Sequence, residues 1–156
     1  MNKYAEALHL VREKEPLVQC ITNFVTVNDC ANIILAAGGS PSMAHDVREA
    51  AEAARNARAL VCNMGAIEDA QSMILAGREM NQLGRPVVLD PVAAGGTSLR
   101  REVAAELLKE VKFSSIRGNA SEIRYLAGQQ TAGSGVDVGA LDKITEENLK
   151  EASEMV

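Results

Sequence analysis

Short extended runs that alternate with helix-like stretches constrain this chain more than any other feature. The runs are Leu17–Ile21, Ser40–Met43, Leu60–Met64, Pro86–Leu89 and Phe113–Ile116. Between them, apolar residues recur at helical spacing. Tyr4, Leu8 and Val11 form such a stripe before Pro16 closes the first helix. Thr26 opens a second with a capping-box-like Thr-Val-Asn-Asp, and Gly38-Gly39 stops it. An Ala/Glu/Arg-rich helix follows Asp46, and further helices are expected over about Glu68–Leu83, Leu99–Val111 and Asn119–Leu126. Strands alternating with helices of this length predict βαβ units, hence an α/β fold with a mostly parallel sheet.

In such sheets ligands gather outside the carboxyl ends of the strands. Two junctions there are chemically loaded. Val87-Val88-Leu89-Asp90-Pro91 is an apolar run ending on a carboxylate, and Ile116-Arg117-Gly118-Asn119-Ala120-Ser121-Glu122 leads from a strand into a helix. Together they offer two carboxylates, an amide and a guanidinium along one edge, a set suited to magnesium and phosphate. Each residue also has a purely structural reading. Asp90 can cap loop amides before a proline, and Asn119 with Glu122 three residues on can form a capping box. Met43, at a strand end beside Pro41 and His45, can line a small-molecule pocket or fill the core. His9 and His45 are isolated, and Cys20 reads as a small buried hydrophobe.

Composition removes other classes. The net charge is −5 with no Lys/Arg cluster, which argues against nucleic acid as partner. Three cysteines, Cys20, Cys30 and Cys62, lack CxxC spacing, so a disulfide framework or zinc site is not expected and a reducing cytoplasm fits. The first sixteen residues are amphipathic, with no signal-peptide core, and no apolar stretch reaches the length of a membrane span. There is no GxxxxGK[ST], so a P-loop is excluded, and Gly133-Ser134-Gly135 misses the dinucleotide-binding spacing. Aromatic residues make up only 3% with no Trp, so the core must be built from Ala, Val, Leu, Ile and Met.

Four motifs, in order, then carry a resemblance: Gln19-Cys20-Ile21-Thr22-Asn23, Gly39-Ser40-Pro41-Ser42-Met43, Leu89-Asp90-Pro91-Val92 and Ile116–Ile123, with Asn63-Met64-Gly65 as a shorter fifth. At these residues the chain resembles the hydroxyethylthiazole kinase family of the ribokinase-like superfamily. The resemblance implies a ribokinase-like three-layer αβα fold. It also implies phosphorylation of the alcohol of 4-methyl-5-(2-hydroxyethyl)thiazole with ATP and Mg²⁺, in thiamine biosynthesis and salvage. By the same resemblance Met43 would contact the thiazole with Asn23 nearby, Arg117 and Asn119 would serve ATP, and Asp90 and Glu122 the metal. Family members are typically homotrimers with the thiazole pocket between subunits.

The family's chain is nearly twice this long. The helix expected from Thr145 is followed by no strand, so residues 1–156 read as the N-terminal part of a single α/β kinase domain. The family's anion hole and catalytic residue have no counterpart here, and none is assigned in this chain. These residues alone are expected to be inactive. Two rival readings stay open: a ribokinase-like kinase of another small alcohol, such as a pyrimidine or sugar, and a non-catalytic α/β small-molecule-binding module.

Overall fold

The alternation becomes a parallel sheet in the computed structural model, which describes residues 2–128 and Thr145. Helix α1 (Lys3–Lys14) leads into β1 (Leu17–Ile21), and α2 (Val27–Ala37) carries the chain to β2 (Ser40–Ser42). From there α3 (Ala50–Asn56) returns it to β3 (Ala59–Asn63). A 3-10 turn at Ile67–Asp69 and α4 (Ala70–Gln82) then precede β4 (Val87–Asp90). The described elements end with α5 (Ser98–Glu110), β5 (Ser115–Ile116) and α6 (Ala120–Leu126). The strand order is β2-β1-β3-β4-β5, and every neighbouring pair is parallel.

Right-handed crossovers decide the layers. The step from β1 through α2 to β2 runs one way along the sheet, and the steps through α3, α4 and α5 run the other. So α2 lies on one face and α3, α4 and α5 on the opposite face, the three-layer arrangement that the family resemblance implies.

The strands bury alternate residues accordingly. Ile21, Cys62 and Leu89 align across β1, β3 and β4 and join Met73, Ala76 and Met80 of α4 and Leu107 of α5 in the core. Each large apolar side chain buried this way contributes about 1.5–3 kcal/mol. The intervening Val18, Val61 and Val88 face the α2 side and are only half-buried. Helix α2 itself buries no residue among those described, and Ile33 is 67% exposed.

With few aromatics, the α3–α5 face is filled by small side chains at close approach. Ala50 and Ala54 of α3 are fully buried. At Gly77 of α4 an added Cβ would lie 2.7 Å from both Val111 methyl carbons, so only glycine lets the helix sit that near.

Local chemistry accounts for the element ends. At the end of α2, Gly38 adopts φ +99°, a left-handed conformation that side chains resist. The expected capping box at Thr26 is not formed, since its side chain makes no cap hydrogen bond. Asn23 pre-empts it. The Asn23 Oδ1 accepts from the amides of Val25 at 2.9 Å and Thr26 at 3.1 Å and from Thr26 Oγ1 at 3.2 Å, which holds that hydroxyl on the preceding turn. At α6 the predicted capping box is present. The stretch after Gly128 and, beyond Thr145, the expected C-terminal helix lie outside the described residues.

Candidate functional site

Parallel pairing puts the candidate residues on one edge. β1, β3, β4 and β5 all point their carboxyl ends the same way, and Asn63 stands in register with Asp90. Residues paired in this way share a face of the sheet, so their side chains meet. Asn63 Nδ2 donates to Asp90 Oδ2 at 3.2 Å, and Arg117, just beyond β5, donates to the same oxygen at 3.1 Å. Asp90 is the half-buried hub of this cluster, while the Arg117 side chain is 79% exposed.

Glu122 is held quite differently. It is only 7% exposed, and both carboxylate oxygens accept from main-chain amides. Oε1 takes the Ala93 N–H at 3.0 Å and Oε2 the Asn119 N–H at 2.8 Å, while Asn119 Oδ1 accepts from the Glu122 N–H at 3.0 Å. Ala93, in the loop after Asp90-Pro91, has φ +53°, a conformation costing a non-glycine residue roughly 1–2 kcal/mol. The Glu122 carboxylate therefore joins the α6 cap to a strained turn of the Asp90 loop.

Asn23 lies beyond the end of β1, close to the β3 end. An added Cβ at Gly65 would stand 2.5 Å from Asn63 Oδ1 and 2.6 Å from Asn23 Nδ2, so a glycine there lets the two amides converge. Met43 lies further along the edge, half-buried in the loop after β2. Its carbonyl sits 3.0 Å from His45 Nδ1. A carbonyl only accepts, so Nδ1 carries the proton. The His45 ring also stands edge-on to Phe24, with centroids 5.6 Å apart. The structure thus brings Asp90, Arg117, Asn119 and Glu122 together, with Asn63 and Asn23 adjoining, and places Met43 in a separate loop.

Clefts flank both ends of this edge. One of about 840 Å³ runs beside Arg117, lined by Phe113, Ile116, Gly118, Ile123 and Leu126. Another of about 660 Å³ lies beside the Met43 loop, lined by His45, Arg48, Glu68 and Asp69. Burial holds the Asp69 carboxyl above its ordinary range. Cys20 and Cys62 are buried on β1 and β3. Burial first, and then the neighbouring Cys30, push the Cys20 thiol up to about 12, so it is no nucleophile.

Two residues that sequence reasoning passed over hold the loops in place. The Arg100 guanidinium donates to the carbonyls of Met64 and Val92, each at 2.9 Å, and ties the β3 and β4 exits together. Gln19, wholly buried in β1, donates to the carbonyls of Ala44 and Ala50. Neither role is written locally, because the partners lie up to 36 residues away. The one available cue for Gln19 was a glutamine inside an apolar strand.

Among the described residues no three His, Cys, Asp or Glu side chains converge. Around Arg117 the described residues offer two carboxylates, Asp90 and Glu122, and both supply hard oxygen ligands. That fits Mg²⁺, which commonly takes one or two carboxylates and leaves its other positions to water and phosphate oxygens. Nor is any helix among the described residues long and apolar enough to cross a membrane.

Comparison with known proteins agrees with this architecture. The model of the hydroxyethylthiazole kinase family matches residues 8–155. The hydroxyethylthiazole kinase of Desulfovibrio desulfuricans is 49% identical over 155 residues, covering 98% of this chain and 54% of its own. That of Clostridium tetani is 48% identical over 144 residues, covering 91% and 53%. A solved hydroxyethylthiazole kinase structure from Pyrococcus horikoshii superposes with a TM-score of 0.77 at 45% identity, covering 82% of this chain and 51% of that one. The chain spans about half the length of the curated relatives it matches. With the family's model matched along almost all of it and relatives near half identity, this chain belongs to the hydroxyethylthiazole kinase family.

Proposed function

We propose that the protein carrying this chain transfers a phosphoryl group from ATP to the alcohol of 4-methyl-5-(2-hydroxyethyl)thiazole, with Mg²⁺, in the cytoplasm and as a homotrimer. Family membership supports the reaction. The observation that carries the site is the Asn63–Asp90–Arg117 cluster on the carboxyl edge of the sheet. Enzymes of this kind work mainly by positioning and by electrostatic stabilisation of the transferring group. This half of the family's chain supplies binding and orientation, and the catalytic residue is expected outside residues 1–156.

Arg117 is the nucleotide contact in this reading. Its ion pair with Asp90 is largely exposed, and such pairs are worth about 0–1 kcal/mol, so the guanidinium can turn to a phosphate at little cost. Asn119 stands beside it at the start of α6. Asp90 and Glu122 would hold Mg²⁺, which when bound neutralises the charge building on the phosphate oxygens. Met43, with Asn23 nearby, would contact the thiazole.

A coupled assay of ADP release by the complete protein tests this, with the thiazole alcohol set against a panel of other small alcohols. The thiazole alcohol is expected to turn over fastest. No turnover, or preference for a sugar or pyrimidine alcohol, refutes the reading. Met43→Ala should raise KM for the thiazole with little change for ATP. Arg117→Lys should do the reverse, because lysine lacks the planar fork.

A further inference from the structure

Among the described residues, Gln19 is a wholly buried polar side chain whose burial and bonding both run against its chemistry. It lies in the middle of β1, fully buried, on the same face as the core residue Ile21. Its Nε2 spends both protons on main-chain carbonyls far along the chain, on Ala44 at 2.9 Å and on Ala50 at 3.2 Å. Two carbonyl acceptors fix the orientation of the amide, since only its nitrogen can donate. Its Oε1, in turn, is buried without a hydrogen-bond partner among the described residues. A buried acceptor left unpaired is costly and calls for a reason. An apolar residue of the same length would fill this place with no such loss, so the two donated bonds are what the position retains.

Those bonds bracket one segment. Ala44 directly follows Met43, and Ala50 is the first residue of α3. The loop between β2 and α3 is thus fastened at both ends by a single side chain of the neighbouring strand. Inside it, the Met43 carbonyl is engaged by His45, and the Asp46 carbonyl receives the amides of Glu49 and Ala50. The Met43 main chain is therefore set by Gln19 from below and by its own loop from above.

We propose that Gln19 is the positioning residue for the alcohol substrate: by fixing the main chain on either side of the Met43 loop, it sets where Met43 meets the thiazole. The inference rests on the reading of Met43 as the thiazole contact. Gln19 touches no substrate. It acts on the alcohol side alone, since Asp90, Arg117 and Glu122 have no bond to it.

Gln19→Met in the complete protein keeps length and burial and removes both donors. Gln19→Asn keeps an amide but draws it back from both carbonyls, and serves as the second variant should the first fail to fold. In either, KM for the thiazole alcohol should rise about tenfold, the scale of one to two ordinary hydrogen bonds, with KM for ATP unchanged. A merely structural role would lower the thermal midpoint and move both constants together, or neither. An active wild type whose variants show that pattern overturns the Gln19 inference and leaves the thiazole reading intact. A wild type that does not phosphorylate the thiazole alcohol at all overturns both.

Discussion

Replacing Glu122 by glutamine separates two roles that one carboxylate could play. The wild-type group accepts two main-chain bonds, from Ala93 and Asn119, at 3.0 and 2.8 Å and with 7% exposure. A glutamine keeps the shape but has one acceptor oxygen, so its NH₂ must face an amide N–H. One bond to a charged acceptor is then lost and a donor is left opposing a donor, for about 2–3 kcal/mol. For a chain of this size that corresponds to a midpoint lower by roughly 4–12 °C. A capping box accepts glutamate or glutamine alike at its third position, which would make glutamine a conservative cap. The structure overturns that, because the capping box uses only one of the two oxygens. Thermal unfolding in EDTA, with no metal or nucleotide present, gives the test. A wild-type midpoint in Glu122→Gln under those conditions would refute the reasoning, and would leave a metal-ligand role as the sole account of this residue.

Two further outcomes follow from packing and burial. Gly77→Ala drives a methyl to 2.7 Å from both Val111 methyl carbons and should cost about 1–2 kcal/mol net of the better helix propensity. Urea denaturation of the single variant and of its double with Val111→Ala checks this, since the second change should relieve the first. Iodoacetamide at about pH 8 should alkylate Cys30 in the native protein and spare Cys20 and Cys62, whose thiols are buried and pushed far above that pH. Mass spectrometry reads the sites, and native labelling of Cys20 would contradict the burial.

Much of the fold was legible because each strand is a short local signal with punctuation on both sides. Leu17–Ile21 is predicted to the residue, since Pro16 and Asn23 bracket an apolar run. β4 runs one residue past its apolar run and takes in Asp90, because the ladder to Asn63 extends to that pair. The break at Ile67–Asp69 before α4 escapes a periodicity argument, which cannot tell a 3-10 turn from the start of an α-helix. Thr26 fails as a cap for a reason three residues before the motif, in the side chain of Asn23. Strand order, by contrast, is no property of any one segment. The reversal that puts β1 between β2 and β3 emerges only from the packing of helices on the two faces.

The candidate site shows the same division at the level of single bonds. In sequence, Asp90 and Glu122 look alike, two carboxylates at two strand-to-helix junctions with a capping alternative for each. The structure sets them apart by what holds them. Glu122 is fixed by main-chain amides that cannot leave without undoing the α6 cap and the Ala93 turn. Asp90 is held by the side chains of Asn63 and Arg117, and the second of these is mostly in solvent. A cation arriving at Asp90 thus competes with an exposed pair worth about 0–1 kcal/mol. At Glu122 it must share oxygens already engaged by two bonds of about 1.5–3 kcal/mol each. An anion that draws Arg117 away would leave Asp90 Oδ2 with the neutral Asn63 donor alone and remove a competing positive charge, so phosphate and cation would each favour the other's binding at this edge.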